Sequence, residues 1–321
     1  MIQIDNIIIT HGSLNKFVMI DEINTALNIN NKQRKTLTIN LCSKKYFDTN
    51  GVLYIQKSSN DQCIAKMSMY NTDGTQAQMC GNGIRCVARY IYEKYNQKDF
   101  FIQTPNDKIA IKKATNIYKN IPTFDALIGP ISLDITTLPM TYDSEEFINQ
   151  NIKSLSKISN FTAISVQNPH IVFIKDKINL KEVIEYEKIL NNNKIFPQQV
   201  NLNFVEILNK DSIFVLTNER GSGITPSCGT GMSSSTYIVC LLKYCEFNNH
   251  INVYNNGGKV ICKATKNSIH LIGNATYIEK NSITIDENMN ISSNHITHKY
   301  TNETKIYNEF LKYCNKYKIN I

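Results

Sequence analysis

Two cysteines in this 321-residue chain stand in matching company: Cys80-Gly81-Asn82-Gly83 and Cys228-Gly229-Thr230-Gly231, separated by 228 − 80 = 148 residues. A helical pattern follows each, Ile84 to Tyr95 and Met232 to Tyr244. Glycines ahead of a helix let the backbone approach a ligand closely and aim N–H groups with no intrahelical acceptor at it, which suits a carboxylate or a phosphate. The same local field favours thiolate over thiol, so both sulfurs are expected to have lowered pKa values and to serve as bases. One such string alone reads as a structural cysteine beside a tight turn. Two copies in one frame read as chemistry: thiols presented to opposite sides of a bound molecule, one removing a proton as thiolate and one donating as thiol, would invert a carbon stereocentre. The substrate carboxylate would lie between the helix ends, where each backbone donor contributes roughly 3 kcal/mol to stabilising the developing negative charge. Neither copy continues to Gly-Lys-Ser/Thr or GxGxxG, which disfavours a phosphate-binding loop.

The elements that must position these loops are also repeated. The stretch from Ile102 to Ala114 resembles Val253 to Ala264, and Lys108 and Lys259 differ by 259 − 108 = 151, close to the first offset. Such self-similarity is read as an internal duplication. Each half is expected to be an antiparallel sheet with a helix carrying its cysteine loop, an α+β fold of two pseudo-symmetric domains. Turn residues between Thr123 and Pro139 place the boundary, giving 1–127 around Cys80, 128–274 around Cys228, and 275–321 as a return segment with an extra helical tail. In that tail Ile306, Phe310 and Cys314 recur at helical spacing. Within the first cysteine helix, Cys86 is expected in the core, and Arg85 and Arg89 on a solvated face.

Composition narrows the function classes. A hydrophobic fraction of 42% supports a full core. The 35 Lys+Arg exceed the 27 Asp+Glu, yet the lysines are scattered rather than gathered into a stripe, so nucleic acid is not an expected partner. The wealth of Asn, Ile and Lys follows from AT-rich codons. Nine cysteines, Cys42, Cys63, Cys80, Cys86, Cys228, Cys240, Cys245, Cys262 and Cys314, include no CxxC pair, which argues against a disulfide framework or a metal site. No run approaches the roughly 18 apolar residues of a membrane span, and the acidic start Met1-Ile-Gln-Ile-Asp5 does not read as a secretory signal. A cytoplasmic protein with no membrane partner is expected.

At the stretches "NTDGTQAQMCGNGIRCVARYIYEKY" and "ERGSGITPSCGTG" the chain resembles the diaminopimelate epimerase family, over about His11 to Ile283. These are cofactor-independent enzymes that interconvert LL- and meso-2,6-diaminopimelate in lysine and peptidoglycan precursor biosynthesis. The resemblance implies that each sheet wraps a central helix, with the active site in the cleft between the domains, no metal or organic cofactor, and a homodimer. It puts the catalytic cysteines on Cys80 and Cys228. It matches Gln167-Asn168-Pro169-His170 to the family's Gly-Asn-Pro-His and Glu219-Arg220 to its Glu-Arg pair, so that His170 helps move protons at Cys80 and Glu219 at Cys228. A structural histidine is the other reading of His170. Substrate-binding positions carry over to Asn15, Asn71, Asn168, Asn201, Glu219 and Arg220, with Gly81, Asn82, Gly229 and Thr230 as donors around the reacting carboxylate. An arginine fork suits a second carboxylate; Asn15 and Asn201 taken alone read equally as turn formers.

The chain departs from the family pattern in several places. Gly12-Ser13-Leu14-Asn15 stands for Gly-Leu-Gly-Asn, Lys16 for an acidic or small polar residue, Gly51 for a polar one in some members, and Ile224 for a frequent Glu. Ser227 and Ser233 to Ser235 replace common alanines, and the stretch after Asp286 has no counterpart. Lys16 bears most on the substrate, since a cation near the distal end could repel its ammonium. A racemase of another amino acid, such as histidine or proline, keeps the same two-thiol plan. A noncatalytic ligand-binding or thiol redox protein is the reading from another class.

Overall fold

The computed structural model describes residues 1–25 and 27–317. The chain divides into two compact units, Met1–Ala126 with Gly273–Leu311, and Leu127–Ile272 with the residues from Lys312 onward. Among the described residues there are five α-helices: α1 (Asn31–Cys42), α2 (Gly81–Tyr95), α3 (Leu180–Leu190), α4 (Gly229–Leu241) and α5 (Thr301–Cys314). None is long and apolar enough to cross a membrane.

In the first unit the hairpin Ile2–Gly12/Asn15–Asp21 leads through α1 to Gly51–Gln56, which lies parallel to the second hairpin strand. Gly51–Gln56 pairs antiparallel with Ala65–Asn71; α2 then crosses to Asp99–Gln103, parallel to Ala65–Asn71, and Lys108–Lys113 returns antiparallel. The second unit repeats this order. The hairpin Thr162–Val166/Pro169–Lys175 leads through α3 to the parallel strand Asn201–Asn209, which pairs antiparallel with Ser212–Glu219. From there α4 crosses to the parallel strand Ile251–Asn255, followed by antiparallel Gly258–Ala264 and Ile269–Asn274. The duplication read from two cysteine loops thus extends through the whole topology. The sheets are mostly antiparallel, but each unit has two parallel pairings, because a helix inserted between consecutive strands returns the chain in the same direction.

The patterns that build these elements are simple. Gly258–Ala264 alternates buried and half-buried residues, as a sheet with one face on the core requires. In α2, Ile84, Cys86, Val87, Ala88 and Ile91 are fully buried, and in α4 burial runs without a break from Gly229 to Thr236. A helix with no wet face belongs at the centre of its unit. Both begin one turn earlier than their apolar pattern, immediately after the cysteines.

Arg85 and Arg89 were expected on a solvated face and are instead buried, at 0% and 5% exposure. The remedy for burial is hydrogen bonding. Arg85 donates to Gly81 O at 2.7 Å, Asn82 Oδ1 at 2.9 Å and Asn274 O at 3.3 Å. Arg89 forms a two-pronged ion pair with Glu303 of α5, at 2.5 and 2.7 Å, and lies 3.6 Å above the Tyr277 ring. The stretch from 275 read as a return segment and tail therefore belongs to the first unit as far as Leu311. Thr276–Ile285 pairs with Ile2–Gly12, and α5 buries Tyr307 and Phe310.

The serine run of α4 carries an unusual cost. Ser233 Oγ and Thr236 Oγ1 bond back to carbonyls four residues earlier, whereas the Ser234 and Ser235 hydroxyls are buried with no partner among the described residues. An unpaired buried hydroxyl destabilises by about 1 kcal/mol or more, and alanine is the better helix former. Ser234→Ala and Ser235→Ala should each raise the urea midpoint, corresponding to about 0.5–1 kcal/mol; a lower midpoint in either variant would show that its hydroxyl is paired.

Candidate active site

Cys80 is the N-cap of α2, in extended conformation at φ −142°, and its sulfur accepts the Gly83 N–H at 3.3 Å. The N–H groups of Gly81 and Asn82 have no carbonyl within α2 to bond to and point out of the helix start. Gly83 leaves room for a core neighbour: an added Cβ would sit 2.8 Å from Leu53 Cδ2, which would have to shift. The turn of the first hairpin packs on this helix start, since a Cβ on Gly12 would lie 2.9 Å from Asn82 O. Asn15 follows that turn, and its Oδ1 is a buried acceptor with no donor among the described residues. Asn71 closes the strand Ala65–Asn71 ahead of the cysteine loop and donates from Nδ2 to Thr75 Oγ1 at 3.0 Å.

The second unit repeats the plan with different polar groups. Cys228 caps α4 at φ −115°, its sulfur accepting the Gly231 N–H at 3.4 Å, while Gly229 and Thr230 supply the outward N–H groups. A Cβ on Gly231 would fall 2.4 Å from Asn203 Oδ1 and 2.8 Å from Thr217 Oγ1. Asn168 lies in the second hairpin's turn, whereas Asn15 opens the strand just after the first, and Glu219 ends the strand before the cysteine loop, as Asn71 does. Gln167, at the family's glycine, adopts φ +58° and is held by a side-chain bond to Gly129 O. Asn201 Oδ1 accepts the Arg220 N–H at 3.0 Å, and the Arg220 guanidinium donates to Gln198 O at 3.1 Å.

Around Cys228 the buried groups form a connected set. Its sulfur is 3.6 Å from Thr230 Oγ1, which is 3.0 Å from His170 Nε2. The Asn203 amide gives one proton to Ile171 O at 3.0 Å and the other to His170 Nδ1 at 3.1 Å, while Thr217 donates to Asn203 Oδ1 at 3.0 Å. With Nδ1 accepting, the neutral imidazole carries its proton on Nε2 and presents it to Thr230. Burial, helped by the positive Arg220, depresses the His170 pKa to about 3, which keeps the ring neutral at physiological pH.

The surroundings of Cys228 oppose the lowered pKa expected for it. Burial first, and then the Glu219 carboxylate, hold its thiol well above the ordinary range, outweighing the bonds from Thr230 and the Gly231 N–H. Glu219 is itself raised by burial, against hydrogen bonds from Thr225, at 2.5 Å, and from Cys228. The pair is one protonated thiol facing one carboxylate whose proton affinity burial has increased, a geometry in which the carboxylate can accept the thiol's proton.

Comparison with known proteins gives this arrangement a lineage. The profile of the family described as diaminopimelate epimerase matches residues 7–120 and 162–278. The chain belongs to the diaminopimelate epimerase family. It is 39% identical over 318 residues to a diaminopimelate epimerase of Clostridium acetobutylicum, covering 97% of this chain and 95% of that one. It is 36% identical to one of Enterococcus faecalis, covering 94% and 96%. Among solved structures, a PhzF-family phenazine biosynthesis protein of Bacillus anthracis shares the fold at TM-score 0.64 and 12% identity, covering 89% of this chain and all (100%) of that one. A hydroxyproline epimerase of Agrobacterium vitis does so at TM-score 0.61 and 10% identity, covering 89% and 93%.

In the first unit the structure gathers Gly81, Asn82 and Cys80 at one helix start, with the turn before Asn15 packed upon it. In the second it gathers Cys228, Gly229, Thr230, His170 and Glu219, with Asn201 bonded to Arg220 nearby. Sequence reasoning missed Asn203, Thr217 and Thr225, which orient the second group. Their only signal was a polar residue at a core position of a strand, as in "NLNFVEI". The Glu219 charge also makes a signed prediction. Glu219→Gln removes it and should lower the Cys228 pKa, so that alkylation of Cys228, followed by peptide mass mapping, begins at lower pH than in the wild type. An unchanged or higher onset would mean that Glu219 does not act on the thiol as a charge.

Proposed function

We propose that this protein is a diaminopimelate epimerase that interconverts the LL and meso forms by two-base proton transfer at Cα. The observation that carries this reading is the paired construction: two buried helices of identical topological position, each capped by a cysteine sulfur and each aiming backbone donors outward. On this reading both thiols serve one substrate. One thiolate removes the Cα proton while the opposite thiol delivers another, and the N–H groups of Gly81, Asn82, Gly229 and Thr230 stabilise the carboxylate as negative charge develops.

Glu219 exchanges the proton of Cys228, and His170 helps move protons at Cys80, the role that the family resemblance implies for it. At the distal end, the unsatisfied Asn15 Oδ1 suits an ammonium, and Asn71, Asn168 and Asn201 add neutral donors and acceptors. The Arg220 fork takes the second carboxylate. The reaction needs no metal or organic cofactor on this plan. The enzyme works as a homodimer in the cytoplasm and supplies meso-diaminopimelate for lysine and peptidoglycan synthesis.

Incubation of the reduced protein with LL-diaminopimelate in deuterated water should yield meso product with deuterium at one Cα. Cys80→Ala and Cys228→Ala should each reduce inversion by at least about a thousandfold, the scale of losing one member of a catalytic unit. Near-normal inversion by either variant would end the two-base mechanism. Exchange confined to another amino acid would keep the mechanism and move the substrate, with Lys16 the first residue to test.

A further inference from the structure

We propose that Asn274 is a positioning residue for substrate binding: it clamps the turn that carries Asn15 onto the start of α2, and α5 braces the clamp through Tyr307. The argument begins with the turn. Ser13 and Leu14 sit at φ 54° and 63°, a left-handed conformation that crowds the Cβ of any residue but glycine. Leu14 stands where the family pattern has glycine, so contacts from outside the turn help to hold its shape.

Asn274, fully buried, provides it. Its Oδ1 accepts from Ser13 N at 2.8 Å, Ser13 Oγ at 3.4 Å and the Tyr307 hydroxyl of α5 at 3.4 Å. Its Nδ2 donates to Thr276 Oγ1 at 2.9 Å and to His11 O at 3.2 Å, at the base of the same turn. Its carbonyl accepts from Arg85 Nε at 3.3 Å, and the other arms of Arg85 reach Gly81 O and Asn82 Oδ1 in the first turn of α2. Tyr307 also packs edge-on against His11, with ring centroids 4.5 Å apart. One residue therefore ties three pieces of the first unit together: its side-chain amide holds the turn before Asn15 and Tyr307 of the C-terminal helix, and its backbone carbonyl holds Arg85 at the Cys80 helix start.

The consequence for catalysis rests on the diaminopimelate epimerase reading, in which Asn15 binds substrate without touching the reacting carbon. Loss of the clamp should then weaken binding more than turnover: Asn274→Ala should raise KM about tenfold with a much smaller change in kcat. Adding Leu14→Gly, which removes the left-handed penalty at a residue 36% exposed, should restore most of the lost affinity. Tyr307→Phe, which keeps the ring, should shift KM in the same direction by a smaller factor. Asn281→Ala, removing a buried asparagine farther along the adjoining strand, should leave KM unchanged.

Amide hydrogen exchange across residues 12–16 provides a readout that needs no activity. It should quicken in Asn274→Ala and slow again in the Leu14→Gly double variant. If the wild-type protein does not turn over diaminopimelate, the functional reading fails and the exchange data still decide the clamp. Unchanged exchange in a folded Asn274→Ala, an unchanged KM, an equal KM rise in Asn281→Ala, or no rescue by Leu14→Gly would each overturn the proposal.

Discussion

The structure depends on placing the polar start of a helix inside a protein core. Both α2 and α4 begin at buried residues, where water cannot serve the N–H groups of the first turn, and an unpaired buried donor costs on the order of 1–3 kcal/mol. In each unit one of those donors is given to the sulfur of the capping cysteine, through Gly83 or Gly231. That choice fixes much else. Glycine three positions after the cysteine leaves room for buried neighbours, since a Cβ there would press on Leu53 in one unit and on Asn203 in the other. The residues between are left presenting N–H groups outward, and the capping sulfur lies beside them. Reactive group and anion-binding donors are thus one device.

Burial also settles the electrostatics, and it does so against the simplest rule. A helix N-terminus favours a thiolate, but the effect is modest and confined to the first turn, whereas full desolvation of a thiolate next to a carboxylate is a larger opposing effect. At Cys228 desolvation wins, and the group rests as a thiol. The same burial raises Glu219 and depresses His170. The three shifts act together: the proton on Cys228 faces an acceptor whose affinity has been raised, while the nearby imidazole stays neutral with its proton directed by Asn203 and Thr217.

Duplication supplied two copies of the frame, and the polar residues then diverged at equivalent places. The strand leading to the cysteine loop ends in Asn71 in one unit and Glu219 in the other. At the hairpin, Asn15 opens the strand just after the turn in one, and Asn168 lies in the turn in the other. Backbone-dependent features, the sulfur cap and the crowded glycine, are the same in both, because the helix start imposes them. Features that depend on side chains differ, which gives one thiol a carboxylate partner that its counterpart's strand does not offer. The positive φ of Gln167 and of Leu14, each at a glycine of the family pattern, is held by contacts from elsewhere in the same unit, Gly129 O for the first and Asn274 for the turn of the second.

The cysteine loops, their helices, the duplication and the amphipathic terminal helix were legible in the sequence because each rests on local rules: glycine before a helix, apolar spacing, and a repeat at nearly constant offset. The site residues carried over by family resemblance could be named from the sequence because the motifs are contiguous strings. What only the tertiary structure decided is the environment of charged and polar groups. Arg85 and Arg89 sit on the part of α2, residues 81 to 89, that is buried without a break, and distant residues, Asn274 and Glu303, arrive to satisfy them. The direction of the Cys228 shift, and the roles of Asn203, Thr217 and Asn274, likewise follow from contacts between segments far apart in the chain. Periodicity reports which residues leave water; it does not report which partners they meet there, and for ionisable groups the partners and the loss of water set the chemistry.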